Sequence, residues 1–130
     1  MDNLKQEFYH LQSTMNIGRL SIPNRVVMPA MGTNIAAAGG GVNDDVISYY
    51  EARARGGVGL IITEITRVED GAGGGEPCQL AARRPADIFG LQKLADTIHK
   101  YDTKLFIQLQ HPGREASPFV TGEQPVAPSA

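Results

Sequence analysis

An α/β fold with a parallel sheet is what the sequence predicts, and three observations carry that reading. Short apolar, β-branched runs recur at residues 25–30, 58–65 and 104–109. Between them lie two segments of helical period, 44–55 and 86–101, and glycine- and proline-rich loops separate the runs from the helices that follow. Strands alternating with helices of roughly 10–15 residues imply right-handed crossovers and therefore parallel pairing. Periodicity leaves a doubly wound sheet and a closed barrel equally open.

Taken in order, Leu4, Phe8 and Leu11 stand at helical spacing and predict a short amphipathic lead-in. "IGRLSIPNR" alternates around Gly18 as a small hairpin does, and Pro23 keeps its second arm short. "RVVMPA", residues 25–30, is a continuous apolar run stopped by Pro29, which predicts a strand covered on both faces. Asp44 or Asp45 then caps a helix running to Arg55, with Val46, Ile47, Tyr50 and Ala54 on one side and Gly56-Gly57 ending it. "VGLIITEI", residues 58–65, is a second buried strand. After a long loop, Ile88, Leu91, Leu94, Ala95 and Ile98 give one face to a helix over 86–101, and the third strand follows at 104–109. Past residue 115 the chain turns irregular and rich in Pro, Ser and Gly.

Composition narrows the function. With 130 residues, 42% hydrophobic and 20% charged, the chain can bury a core. Twelve basic against fourteen acidic residues, net charge −2 and no lysine or arginine run speak against nucleic acid and against a membrane surface. The start "MDNLKQEFYHLQST" lacks the basic-then-apolar order of a signal peptide, and no apolar run approaches a bilayer span, so a cytoplasmic protein is expected. Cys78 is the only cysteine, which excludes an internal disulfide and a cysteine metal cluster.

A parallel sheet places its chemistry at the carboxyl ends of its strands. Three such ends are visible: "MPAMGTN" (28–34), "ITEITRVEDGAGGGEP" (62–77) and "QLQHPGRE" (108–115). On the third strand Leu105, Ile107 and Leu109 share one face, and Phe106, Gln108 and Gln110 the other. The carboxamide of Gln108 carries a donor and an acceptor side by side, which suits a ligand edge presenting the reverse pattern, such as a ring imide. It suits unpaired loop backbone equally well.

Four segments in register bear on that choice. "IGRLSIPNRVVMPAMGTN", "SYYEARARGGVGLIITE", "LFIQLQHPGRE" and "PVAPSA" together resemble the N-terminal part of the Old Yellow Enzyme family of flavin-dependent ene-reductases, over most of residues 17–130. The resemblance implies a (β/α)8 barrel of which residues 1–130 supply the N-terminal portion: a hairpin and the first three strand-helix units. It implies FMN at the carboxyl ends of the strands, NAD(P)H as electron donor, and an enoate, enone or enoyl-CoA-like substrate. Pro29, Ala30, Met31 and Gly32 would lie along the flavin ring, and Ile65 near it. Gln108 would pair with the pyrimidine end. Two positions depart from the family pattern: many members have a polar side chain where Gly32 stands, and a small residue where Ile65 stands.

Since such a barrel takes roughly 250 residues, the resemblance also implies a longer natural protein. The substrate-polarising His/Asn or His/His pair, the proton donor and the phosphate loops would lie beyond residue 130. An iron-sulfur cluster and FAD, where relatives carry them, would sit in a further C-terminal region. Gln110 is expected to be structural, His111 and Arg114 of the "HPGR" turn to brace loops, Glu64 to anchor one, and Arg25 to form a stabilising ion pair. Cys78, His10 and His99 show no metal or nucleophile context, and "AAAGGG" and "GAGGGEP" read as flexible loops without phosphate-binding spacing. Three units alone would leave unpaired edges, so a homo-oligomer is expected. The alternative to an enzyme is a stand-alone, non-catalytic binding or assembly module.

Overall fold

The computed structural model describes residues 7–129; Leu4, one of the three residues of the expected lead-in helix, lies outside them. The lead-in is a single turn, α1 (Tyr9–Gln12), with no buried residue. The expected hairpin follows as β1 (Met15–Ile17) and β2 (Leu20–Ile22), an antiparallel pair turning through Gly18 at φ +57°. Positive φ is cheap only for glycine, so the turn forms where the sequence offers one.

Three strands make the main sheet in sequence order: β3 (Val27–Met28), β4 (Leu60–Arg67) and β5 (Lys104–Gln110), all parallel. The connecting helices are α2 (Asp44–Arg55) and α3 (Pro85–His99), with one short turn, α4 (Pro118–Thr121), after β5. Both long helices pack on one face of the sheet. Val46, Ile47, Tyr50 and Ala54 of α2 and Leu94 and Ile98 of α3 form one core with Ile61 of β4 and Leu80, while Met28 and Leu105 pack against it from the flanking strands. The opposite face carries Ile62, Ile65 and Arg67 of β4, all half-buried, beside Phe106 and Gln108 of β5, both exposed. Helices on one side and an uncovered second face suit a barrel wall; a doubly wound sheet covers both faces.

The hairpin closes the N-terminal end of the sheet. A Cβ on Gly59, just before β4, would fall 2.6 Å from Asn24 Oδ1 and 2.9 Å from Ile22 Cγ2, so only a glycine lets β4 start this close to the hairpin. Asn24 Nδ2 donates to Gly57 O at 2.8 Å and tightens the same corner.

Four expectations need correction. The run 25–30 pairs over only two residues, with Val26 40% and Val27 38% exposed, because among the described residues β3 has a neighbour on one side alone. The α2 cap is Asn43, whose side chain accepts the Val46 N–H at 2.9 Å; Asp44 and Asp45 instead occupy the first turn, where their charge favours the helix dipole. Ile88 at the start of α3 is 59% exposed and Phe89 77%, because the helix meets the core further along, through Leu91, Leu94 and Ile98. Arg25 forms no ion pair among the described residues: its Nε donates to Ser13 Oγ at 3.0 Å.

Candidate active site

Parallel pairing of β4 with β5 breaks near the carboxyl end. Ile62 stands opposite Phe106, but Ile65 stands opposite Gln108, so Thr63 and Glu64 together face Ile107. One extra residue in β4 is a β-bulge, rare in parallel pairs and frequent beside functional sites. Its effect is to re-aim a side chain. Strict alternation from Ile62 would point Ile65 toward the helices, whereas the bulge returns it to the open face, level with Gln108.

Nearby groups satisfy the bulge. Thr66 Oγ1 donates to Glu64 O at 2.9 Å, Thr63 Oγ1 donates to the same carbonyl at 3.2 Å, and the Gln108 N–H donates to Thr63 Oγ1 at 3.3 Å. From the helix layer, Tyr50 Oη accepts the Glu64 N–H at 2.7 Å. Burial pushes the Tyr50 phenol well above its ordinary range, so the hydroxyl stays neutral in this apolar setting. With the backbone held this way, the buried Glu64 carboxylate reaches β3's loop: Oε2 accepts from Thr33 N–H at 2.8 Å and from Thr33 Oγ1 at 2.6 Å. Glu64 is thus the loop anchor expected of it, tying the segment after Pro29–Gly32 to β4.

The glycine-rich loop after β4 is pinned, contrary to the expectation of a flexible one. Buried Gln79 accepts the N–H groups of Gly75 at 2.8 Å and Glu76 at 3.4 Å on Oε1, and donates from Nε2 to Gln110 Oε1 at 2.7 Å. Asn34 Oδ1 accepts the Cys78 N–H at 2.7 Å, and Cys78 O accepts the Ala36 N–H at 3.2 Å. Gln110 is therefore a brace, and so is His111, whose Nδ1 accepts the Gly113 N–H at 3.0 Å while Nε2 meets Glu69 Oε2 at 3.1 Å. Arg114 differs: among the described residues its side chain pairs only with its exposed neighbour Glu115. Among the described residues no cluster of histidine, cysteine and carboxylate side chains has metal-ligand geometry.

Of the sequence-predicted site residues, Ile65 and Gln108 come together on one rung of the open face. Pro29, Ala30, Met31 and Gly32 follow β3, the strand next to β4, with Met31 57% exposed and Gly32 exposed. Sequence reasoning missed three neighbours. Arg67 ends the open-face row of β4 with its side chain 12% exposed and its Nε buried without a partner among the described residues; burial, and then the charge of Arg83, lower its pKa. Gln79 is invisible in sequence because its partners are loop backbone. Glu76 lies with its carboxylate against Gly32, where a Cβ would fall 2.9 Å from Oε1.

The family model described as NADH:flavin oxidoreductase / NADH oxidase matches residues 11–130. The chain belongs to that family. An NADH oxidase of Thermoanaerobacter brockii is 47% identical over 123 residues, covering 94% of this chain and 19% of its own length. A cinnamate reductase of Clostridium sporogenes is 34% identical over 134 residues, covering 97% and 20%. Among solved structures, an Old Yellow Enzyme homologue from Zymomonas mobilis superposes with a TM-score of 0.84 at 30% identity, covering 92% of this chain and 33% of that one. The chain thus spans about one fifth of the curated relatives' length and about one third of the structural neighbour's. Its three parallel strands are part of the Old Yellow Enzyme (β/α)8 barrel, and the family is one of FMN oxidoreductases that take electrons from NAD(P)H.

Proposed function

We propose that the natural protein containing this chain is an ene-reductase, and that the open face at the carboxyl ends of β3, β4 and β5 holds its FMN. The observation that carries this is the bulge in β4, which puts Ile65 and Gln108 on one rung, facing away from the helices. The residues present fit a flat ring with a polar edge. Met31, Ile65 and Phe106 offer apolar surface, and the exposed Gln108 carries a carboxamide with a donor beside an acceptor.

FMN, when bound, would take hydride from a reduced nicotinamide and pass it to the β-carbon of an activated alkene. The part of this chain is positional and electrostatic. Gln108 orients the ring and stabilises negative charge gained on reduction, Ile65 keeps water from one side, and the Glu64–Thr33 pair fixes the segment 29–32. Among acceptors, the cinnamate reductase relative favours an α,β-unsaturated acid. The direct test is to express the complete natural polypeptide and follow anaerobic NADH oxidation with and without an enoate. A yellow protein whose oxidation of NADH depends on the enoate is expected; a protein that takes up no flavin would refute the reading.

A further inference from the structure

Gly32 raises a structural question, because its backbone does not require glycine. Its φ lies outside the left-handed region, unlike Gly39 at +87° and Gly40 at +88° in the next loop. The three atoms nearest to a side chain there all belong to one group: an ideal Cβ would lie 2.9 Å from Glu76 Oε1, 3.2 Å from Oε2 and 3.4 Å from Cδ. Glu76 thus fills the volume that a side chain at position 32 would take.

Its placement is built. The Glu76 N–H is held on Gln79 Oε1, Gln79 is held by Gln110, and two residues on the Cys78 backbone is tied to Asn34 and Ala36. The carboxylate is delivered to β3's loop by a pinned segment of the β4 loop. One of its oxygens, Oε2, is buried with no hydrogen-bond partner among the described residues. Leaving a buried carboxylate oxygen unmatched costs stability, so this oxygen, like Glu64 Oε1, calls for a partner from outside the described residues.

We infer that Glu76 is a cofactor-facing residue of the flavin site, holding a negative charge at the ring edge where position 32 has no side chain. The inference rests on the placement of FMN proposed above and adds a residue from a different loop. A fixed negative charge opposes the charge that a ring gains on reduction, so Glu76 holds the flavin potential down. Because residue 32 and Glu76 compete for one volume, their effects are also coupled.

The test is a redox titration of the FMN-loaded complete polypeptide as wild type, E76Q, G32S and the double variant, with melting temperature and FMN affinity measured on each. E76Q is expected to shift the two-electron equilibrium toward reduced flavin by about tenfold, or about 30 mV. In G32S the new Cβ displaces the carboxylate and raises the potential similarly, so the double variant should fall well short of the sum of the two shifts. E76D, which keeps the charge, should stay nearer to wild type than E76Q. An E76Q potential equal to or below wild type in a folded, loaded protein, or additive shifts in the double variant, would overturn the inference. A wild type that binds no FMN would overturn instead the placement on which it rests.

Discussion

β4 and β5 lie side by side in one sheet and read alike in sequence, yet they meet solvent differently. In β4, Leu60 is 2% exposed and Ile61 fully buried, while in β5 Phe106 is 37%, Ile107 38% and Leu109 63% exposed. Composition does not separate them; neighbours do. β4 has a strand on each side and helices across its back, whereas β5 has β4 on one side and, among the described residues, nothing on the other. An apolar run states that a strand is meant to be covered, and only topology states by what.

The largest effect is expected when residues 1–130 are made alone. Two open edges and an uncovered face should drive them to oligomers or aggregates with no alkene reduction at all. Sedimentation and a turnover assay check this; a compact, stable monomer would mean that β5 is a finished edge.

Paired truncations in the complete polypeptide come next. Ile61→Ala should cost about 2–5 kcal/mol in chemical denaturation, as buried large-to-small changes do. Leu109→Ala should cost a similar amount if the following barrel units cover β5, but within about 0.5 kcal/mol if its exposure persists. The first of the two outcomes is expected.

Tyr50→Phe probes the junction of helix layer and bulge. Losing Oη leaves the buried Glu64 N–H without its acceptor, a loss of about 1–3 kcal/mol. Thermal denaturation measures it, and an unchanged midpoint would show that the bulge does not lean on Tyr50.

Much of the barrel wall was legible because its signals are local. The α2 face of Val46, Ile47, Tyr50 and Ala54 follows from a 3.6-residue period, and the hairpin from Gly18 between alternating runs. The site was legible only in part. Gln108 stands out as an amide near a strand end, but the bulge that sets Ile65 beside it depends on threonine hydroxyls and a tyrosine thirteen or more residues away, which no strand pattern reports. Asn43 was overlooked as a cap because two aspartates follow it. Gln79 and Glu76 acquire roles only through a loop closing back on β3 and β5, a contact between segments far apart in sequence.

The central claim is that the open face of β4 and β5 holds a flavin with Gln108 on its polar edge, and Gln108→Ala tests it most directly. FMN affinity should be measured by fluorescence titration of the complete polypeptide and its Gln108→Ala variant after the flavin has been removed from each. The variant is expected to stay folded, with its melting temperature in the flavin-free form within a few degrees of wild type, and to bind FMN more weakly by about 1–3 kcal/mol, the cost of unpairing buried ring groups. Undiminished affinity and an unchanged flavin potential in the folded variant would contradict it.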